Sequence, residues 1–177
     1  IGGYDGTNPT PGTNDLATVI SEVSSIWKKG TGTDSIVQAI ADGTNLPTAT
    51  ANRAIAVGYD TTASGDYSHA EGLRTVASKY SSHAEGQDTI ASGVVSHAEG
   101  DSTRASGAVS HAEGYSAEAS GDYSHAEGFY TIASENWSHA EGNYTTASGE
   151  SSHAEGDHAI ASNNDEHAQG QYNHSST

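Results

Sequence analysis

From about residue 50 to residue 170 the chain repeats one pattern of small, polar and variable positions every 14 residues. The motif Ser-His-Ala-Glu-Gly begins at Ser68, Ser82, Ser96, Ser110, Ser124, Ser138 and Ser152, and Glu166-His167-Ala168-Gln169-Gly170 continues the register in degraded form. A second half-motif, Ala-Ser-Gly or a variant of it, begins five residues earlier each time, at Ala63, Ala77, Ala91, Ala105, Ala119, Ala133, Ala147 and Ala161. A fixed period without insertions is the signature of stacked structural units. Fourteen residues are too few for a helix–turn–helix unit and suit one coil of two short strands and two tight turns.

Side chains alternate between the two faces of a strand, which sorts the motif. Ser68, Ala70 and Gly72 are expected on one face and His69 and Glu71 on the other. A flattened coil has little interior room, so the small set is expected inside, together with Thr61 and Ala63 and their equivalents from the second strand. The residue between that Thr and Ala varies from Thr62 through Val76, Ile90, Arg104, Glu118, Ile132 and Thr146 to Ile160, as an outward face would. Gly65 and Gly72 are expected at turns, where a positive φ is needed. Stacking then runs a His ladder and a Glu ladder along the solenoid. One coil earlier, Ala54-Ile55-Ala56-Val57-Gly58 places Ile55 at the His position and Val57 at the Glu position. A face that accepts Ile and Val at one level is expected to be covered, which makes the His/Glu face a candidate subunit interface.

The segments before the repeats read differently. Residues 1–13, rich in Gly, Pro, Thr and Asn, read as a flexible leader. Residues 14–30 read as a short helix, with Asn14 as N-cap, a Leu16, Val19, Val23 and Ile26 seam in coiled-coil spacing, and Gly30 as the stop. Two heptads are marginal alone, so this helix is expected either to pair as a short parallel coiled coil or to cap the fold. Residues 31–49 read as a transition with a strand at 35–40 and a loop around Pro47, and residues 171–177 as a tail or linker.

Composition narrows the choice of fold. Only 33% of the 177 residues are hydrophobic, and there are 21 Gly and one Phe. Such a chain gains stability from backbone ladders and stacking rather than from a large apolar core. The net charge of −17 disfavours nucleic-acid backbones and anionic membrane surfaces. The absence of Cys excludes disulfides and thiolate metal sites, and no apolar run is long enough to span a bilayer.

The period and the small-residue positions of residues 50–170 resemble the head repeats of YadA-like trimeric autotransporter adhesins. Their Asn-Ser-Val-Ala-Ile-Gly core is close to Arg53-Ala54-Ile55-Ala56-Val57-Gly58, and the Ser-His-Ala-Glu-Gly units match it with His for Val and Glu for Ile. The resemblance implies a left-handed parallel β-roll, three chains around a threefold axis, and the Val and Ile positions turned inward. Repeats spelling Ser-His-Ala-Glu-Gly are also similar to those of phage tail or head fibre proteins.

The expected protein is therefore an all-β, left-handed parallel β-roll solenoid of 14-residue coils, homotrimeric, with a short N-terminal helix. Its expected role is a structural fibre segment of a phage or phage-like particle on a virion surface or outside the cell, contributing to host attachment. The alternative is the head of a trimeric adhesin on the bacterial outer surface, and a metal-binding solenoid is the second alternative. The expected trimer interface comprises Ile55, Val57, the Leu16–Ile26 seam, and the ladders of His69, His83, His97, His111, His125, His139, His153 and Glu71, Glu85, Glu99, Glu113, Glu127, Glu141, Glu155. Carboxylates beside these imidazoles are expected to favour protonated His. The same seven His are candidate ligands for a transition-metal ion on the threefold axis, with no cofactor required. Tyr67, Tyr80, Tyr115, Tyr123, Tyr130, Trp137 and Tyr144 lie at or near turns and are read either as turn packing or as a surface for a host glycan or protein. Expected partners are other copies of the chain and neighbouring fibre or virion proteins, with no nucleic acid and no membrane insertion. No enzyme is expected, because Ser68 and His69, as strand neighbours, face opposite sides and cannot act as nucleophile and base.

Overall fold

In a computed structural model of the chain, residues 27–38 and 46–173 are described. Three short strands precede the regular repeats: β1 (Trp27–Lys29), β2 (Ile36–Gln38) and β3 (Thr48–Ala49). From there each 14-residue coil contributes one long and one short strand, starting with β4 (Ile55–Tyr59) and β5 (Thr62–Ala63). The last long strand is His167–Gln171. The long strands, with β1 and β2, form an 11-stranded sheet, and the short strands form a 9-stranded one. All pairings between coils are parallel and in register, so that His97 stands beside His83 and His111, and Glu99 beside Glu85 and Glu113. The result is a parallel β-solenoid of about nine turns, with no helix among the described residues.

The interior contains nothing larger than threonine along the regular repeats. Ala56, Ala70, Ala84 and their equivalents on the long strands, and Ala63, Ala77, Ala91 and theirs on the short strands, are all buried. Thr61, Thr75, Thr89, Thr103, Thr131 and Thr145 fill one further column and Ser68, Ser82 and Ser96 open another. The narrow interior explains the small residues: two sheets this close leave no room for a branched aliphatic side chain. Ser hydroxyls close one turn, as where Ser96 Oγ donates to the Gly93 carbonyl at 2.8 Å. The Thr61, Thr75 and Thr89 hydroxyls have no partner.

Both turns of a coil use a non-glycine residue in the left-handed region. One column runs through Arg53, Tyr67, Ser81, Val95, Val109, Tyr123 and Trp137, the other through Asp60, Arg74, Asp88, Ser102, Ser116, Tyr130 and Tyr144, with φ between 51° and 61°. The conformation costs energy, above all for a β-branched residue such as Val95. In return it aims the N–H at the preceding coil: Tyr67 N–H donates to the Asn52 carbonyl at 2.9 Å and Arg74 N–H to the Tyr59 carbonyl at 2.8 Å. Backbone donors that a turn would leave open are thus satisfied between coils.

Three sequence expectations are corrected here. Gly72 is exposed rather than interior, because its φ of +112° breaks the strand alternation. A Cβ there would also stand 2.1 Å from the Gly86 carbonyl oxygen. Gly65 has no positive φ; it is required because a Cβ would stand 2.0 Å from the Lys79 carbonyl oxygen. The expected helix over 14–30 does not extend to its C-terminal end. Trp27–Lys29 is a strand, paired antiparallel with Ile36–Gln38, where it covers the edge of the long-strand sheet. Leu16, Val19, Val23 and Ile26, like residues 1–13, lie outside the described residues. The expected strand at 35–40 is seen as Ile36–Gln38, since 39 and 40 also lie outside them.

Candidate functional site

The long-strand face carries the two ladders. Positive-φ Gly after each Glu leaves that side without side chains, so an open trough runs beside Glu71, Glu85 and Glu99, with Val57 at its end. The His rings stack in parallel: centroids of His69, His83, His97, His111, His125, His139, His153 and His167 follow one another at 4.6–4.9 Å with interplanar angles of 10° or less. Ile36 and Ile55 continue the His column toward the N-terminal side. Each rung brings His and Glu of one motif together. Nε2 lies 3.5 Å from a Glu oxygen at His69–Glu71, 3.9 Å at His83–Glu85, 3.7 Å at His97–Glu99 and 3.6 Å at His111–Glu113. The corresponding distances are 3.5 Å at His125–Glu127, 3.8 Å at His139–Glu141 and 3.9 Å at His153–Glu155. These exceed hydrogen-bond length. Nε2 of His83, His97, His111, His125, His139 and His153 is buried and has no hydrogen-bond partner.

The electrostatics reverse one expectation. Half-burial, followed by the neighbouring imidazoles, lowers the pKa of His83, His97, His125, His139 and His153 below the ordinary value, despite the adjacent carboxylates. Stacking in register sets each of these five imidazoles against like groups above and below, which adds to the effect of burial in favouring their neutral form. The Glu column meets the same problem. The hydrogen bond to Glu99, then burial, raises Glu85 to about 7, while that bond lowers Glu99. Of the two, Glu85 therefore favours the protonated form, as the hydrogen-bond donor, and Glu99 the ionised form, as the acceptor.

The aromatic residues occupy the two turn columns and the positions beside them, and all seven are exposed. They gather into two groups. Tyr67 meets Tyr80 edge-on at 5.4 Å, and Tyr123 stacks on Trp137 at 6.1 Å. On the other corner Tyr115 stacks on Phe129 at 5.2 Å, and Tyr130, Tyr144, His158 and Tyr172 form a continuous stack at 4.8–5.1 Å. Phe129, His158 and Tyr172 were not singled out from the sequence; their spacing of 14 or 28 residues from Tyr115 and Tyr144 is the signal that would have found them. A shallow groove of about 480 Å³ beside this stack is lined by Arg104, Glu118, Tyr130, Ile132 and Tyr144, among others. Ser68 is buried while His69 is half-exposed on the opposite face, as strand alternation requires.

Residues 49–75 and 140–162 match the family model described as the YadA head domain repeat, in two copies. No curated protein matches the chain. The first matched segment holds the Ile55/Val57 coil and the first His/Glu coil; the second lies within the later repeats. Strand pairing continues in one register between them, so the intervening coils share their geometry. The two segments similar to the YadA head domain repeat thus lie within one parallel β-solenoid.

Proposed function

We propose that the chain is the head segment of a homotrimeric adhesin displayed on a bacterial outer surface. The observation that carries this reading is the match to the YadA head domain repeat, which falls on coils of the observed solenoid. It favours the adhesin alternative over the phage-fibre reading, which has only the wording of the Ser-His-Ala-Glu-Gly repeat behind it. In the proposed trimer the long-strand faces of three copies meet. The half-buried ladders support that arrangement, because Ile36, Ile55 and Val57 stand in the same columns and gain from being covered. The aromatic corners then point outward, where exposed rings offer contact area to a host glycan or protein at low entropic cost.

Light scattering on the purified chain tests the reading. A solution mass of three times 18.1 kDa is expected. A monomeric mass would remove the trimer and leave both ladders open to solvent.

A further inference from the structure

The ladders pose a chemical problem that the single chain does not solve by itself. Carboxylates recur in register along a half-buried trough, and among the described residues the ladder Glu have only imidazoles within ion-pair distance. Six of those imidazoles present a buried Nε2 without a hydrogen-bond partner. The Nε2-to-carboxylate distances of 3.5–3.9 Å are too long for a hydrogen bond. They lie at or just above the separation of two ligands of one ion, since donors about 2.0–2.2 Å from a tetrahedral metal stand roughly 3.3–3.6 Å apart, so a small side-chain rotation closes each pair on a shared ion. A divalent cation would accept the orphaned Nε2 lone pair and balance the carboxylate charge at once.

We propose that the His/Glu trough is a linear array of transition-metal sites, each built by one chain from two neighbouring coils. The ligand atoms of five such groups lie within 4.8 Å of one another. Three His–Glu–His groups open at His97, His125 and His153, and a Glu–His–Glu group is centred on His83. These four share no residue, whereas the fifth, opening at His139, borrows imidazoles from two of them. One imidazole nitrogen cannot serve two ions, and ions on adjacent rungs, about 4.8 Å apart, repel strongly. Occupancy therefore alternates, with four ions per chain at saturation and two coils between ions. The donor set of imidazole nitrogen and carboxylate oxygen selects Zn²⁺, Ni²⁺ or Co²⁺ over Mg²⁺ or Ca²⁺. Water or ligands from adjoining copies complete each shell, so the sites do not depend on the trimer.

The test is titration of the EDTA-stripped full chain with Zn²⁺ and with Co²⁺ at neutral pH, by calorimetry and, for Co²⁺, by visible absorption. Saturation at four ions per chain is expected, with the loss of one ion in His97→Gln/His111→Gln and in Glu99→Gln. Circular dichroism in EDTA verifies that both variants are folded. Absence of saturable binding overturns the proposal. So does a stoichiometry indifferent to the His substitutions, or equal competition by Mg²⁺, either of which would mark simple counterion attraction to the carboxylates. Light scattering in EDTA separates this outcome from the fate of the trimer: a chain that is trimeric in EDTA and then binds no added metal sinks the array and leaves the head reading standing.

Discussion

The two outer faces of the solenoid have the same backbone and opposite habits. On the long-strand face seven successive rungs carry the same His and Glu. On the short-strand face the matching outward position runs Thr62, Val76, Ile90, Arg104, Glu118, Ile132, Thr146 and Ile160 without disturbing the ladder. The coil therefore does not demand a particular outward residue. Nor does the long strand demand His and Glu, because the coil at Ile55 and Val57 has the same pairing with its neighbour. The uniformity of the trough must come from what lies against it or within it, while the short-strand face and corners are free to differ rung by rung.

Four variants probe that contrast. The largest effect belongs to neither face but to the backbone beneath both. Gly100→Ala puts a Cβ 2.1 Å from the Gly114 carbonyl oxygen at a φ of +106°. It should destabilise by roughly 3 kcal/mol or more, read from chemical denaturation. Next, His97→Ile combined with Glu99→Val converts one rung to the Ile55/Val57 type. If the trough is a subunit interface, the trimer should persist and gain about 1–4 kcal/mol, read from its thermal midpoint. A loss of assembly would mean that the polar rungs themselves hold the copies together.

Acid sharpens the comparison further. Glu85, raised to about 7, binds a proton in the folded chain that the unfolded chain has released above about pH 4.5. Its contribution to stability is thus full below that unfolded value and is lost as pH rises through about 7. Glu85→Gln should therefore melt higher than the parent above pH 7, with the gain disappearing toward about pH 4.5. The lowered imidazoles act in the opposite sense, favouring the fold above about 6.5 and less as pH falls. They are present in both proteins, so comparing melting curves isolates Glu85. The smallest effect is expected on the short-strand face, where Arg104→Thr should shift stability by no more than about 0.5 kcal/mol.

The sequence was most legible where geometry repeats. The 14-residue interval, the alternation of Ala with larger residues and the Ile55/Val57 coil were enough to place the interior columns and the two ladders. Other features depend on backbone conformations that composition does not announce. Tyr67, Val95 and Trp137 occupy left-handed turn positions where Gly or Asn would be the usual choice. Gly72 looked interior by alternation and is exposed because its own φ ends that alternation. The imidazoles read as protonated beside Glu, yet burial, and then the imidazoles stacked on either side, turn His83, His97, His125, His139 and His153 the other way. That outcome depends on the spacing between coils rather than on any one motif. At Trp27–Lys29 a helix-like pattern gave way to an edge strand, since the exposed side of β2 supplied unpaired backbone groups.

The inter-coil backbone hydrogen bonds have a mechanical consequence. Because each coil bonds only to the coils before and after it, tension applied along the stack loads these junctions in series. The molecule should then yield one turn at a time rather than all at once. Each event would free 14 residues, or about 45–50 Å of chain at full extension. A solenoid made this way lengthens in steps and dissipates work at every step.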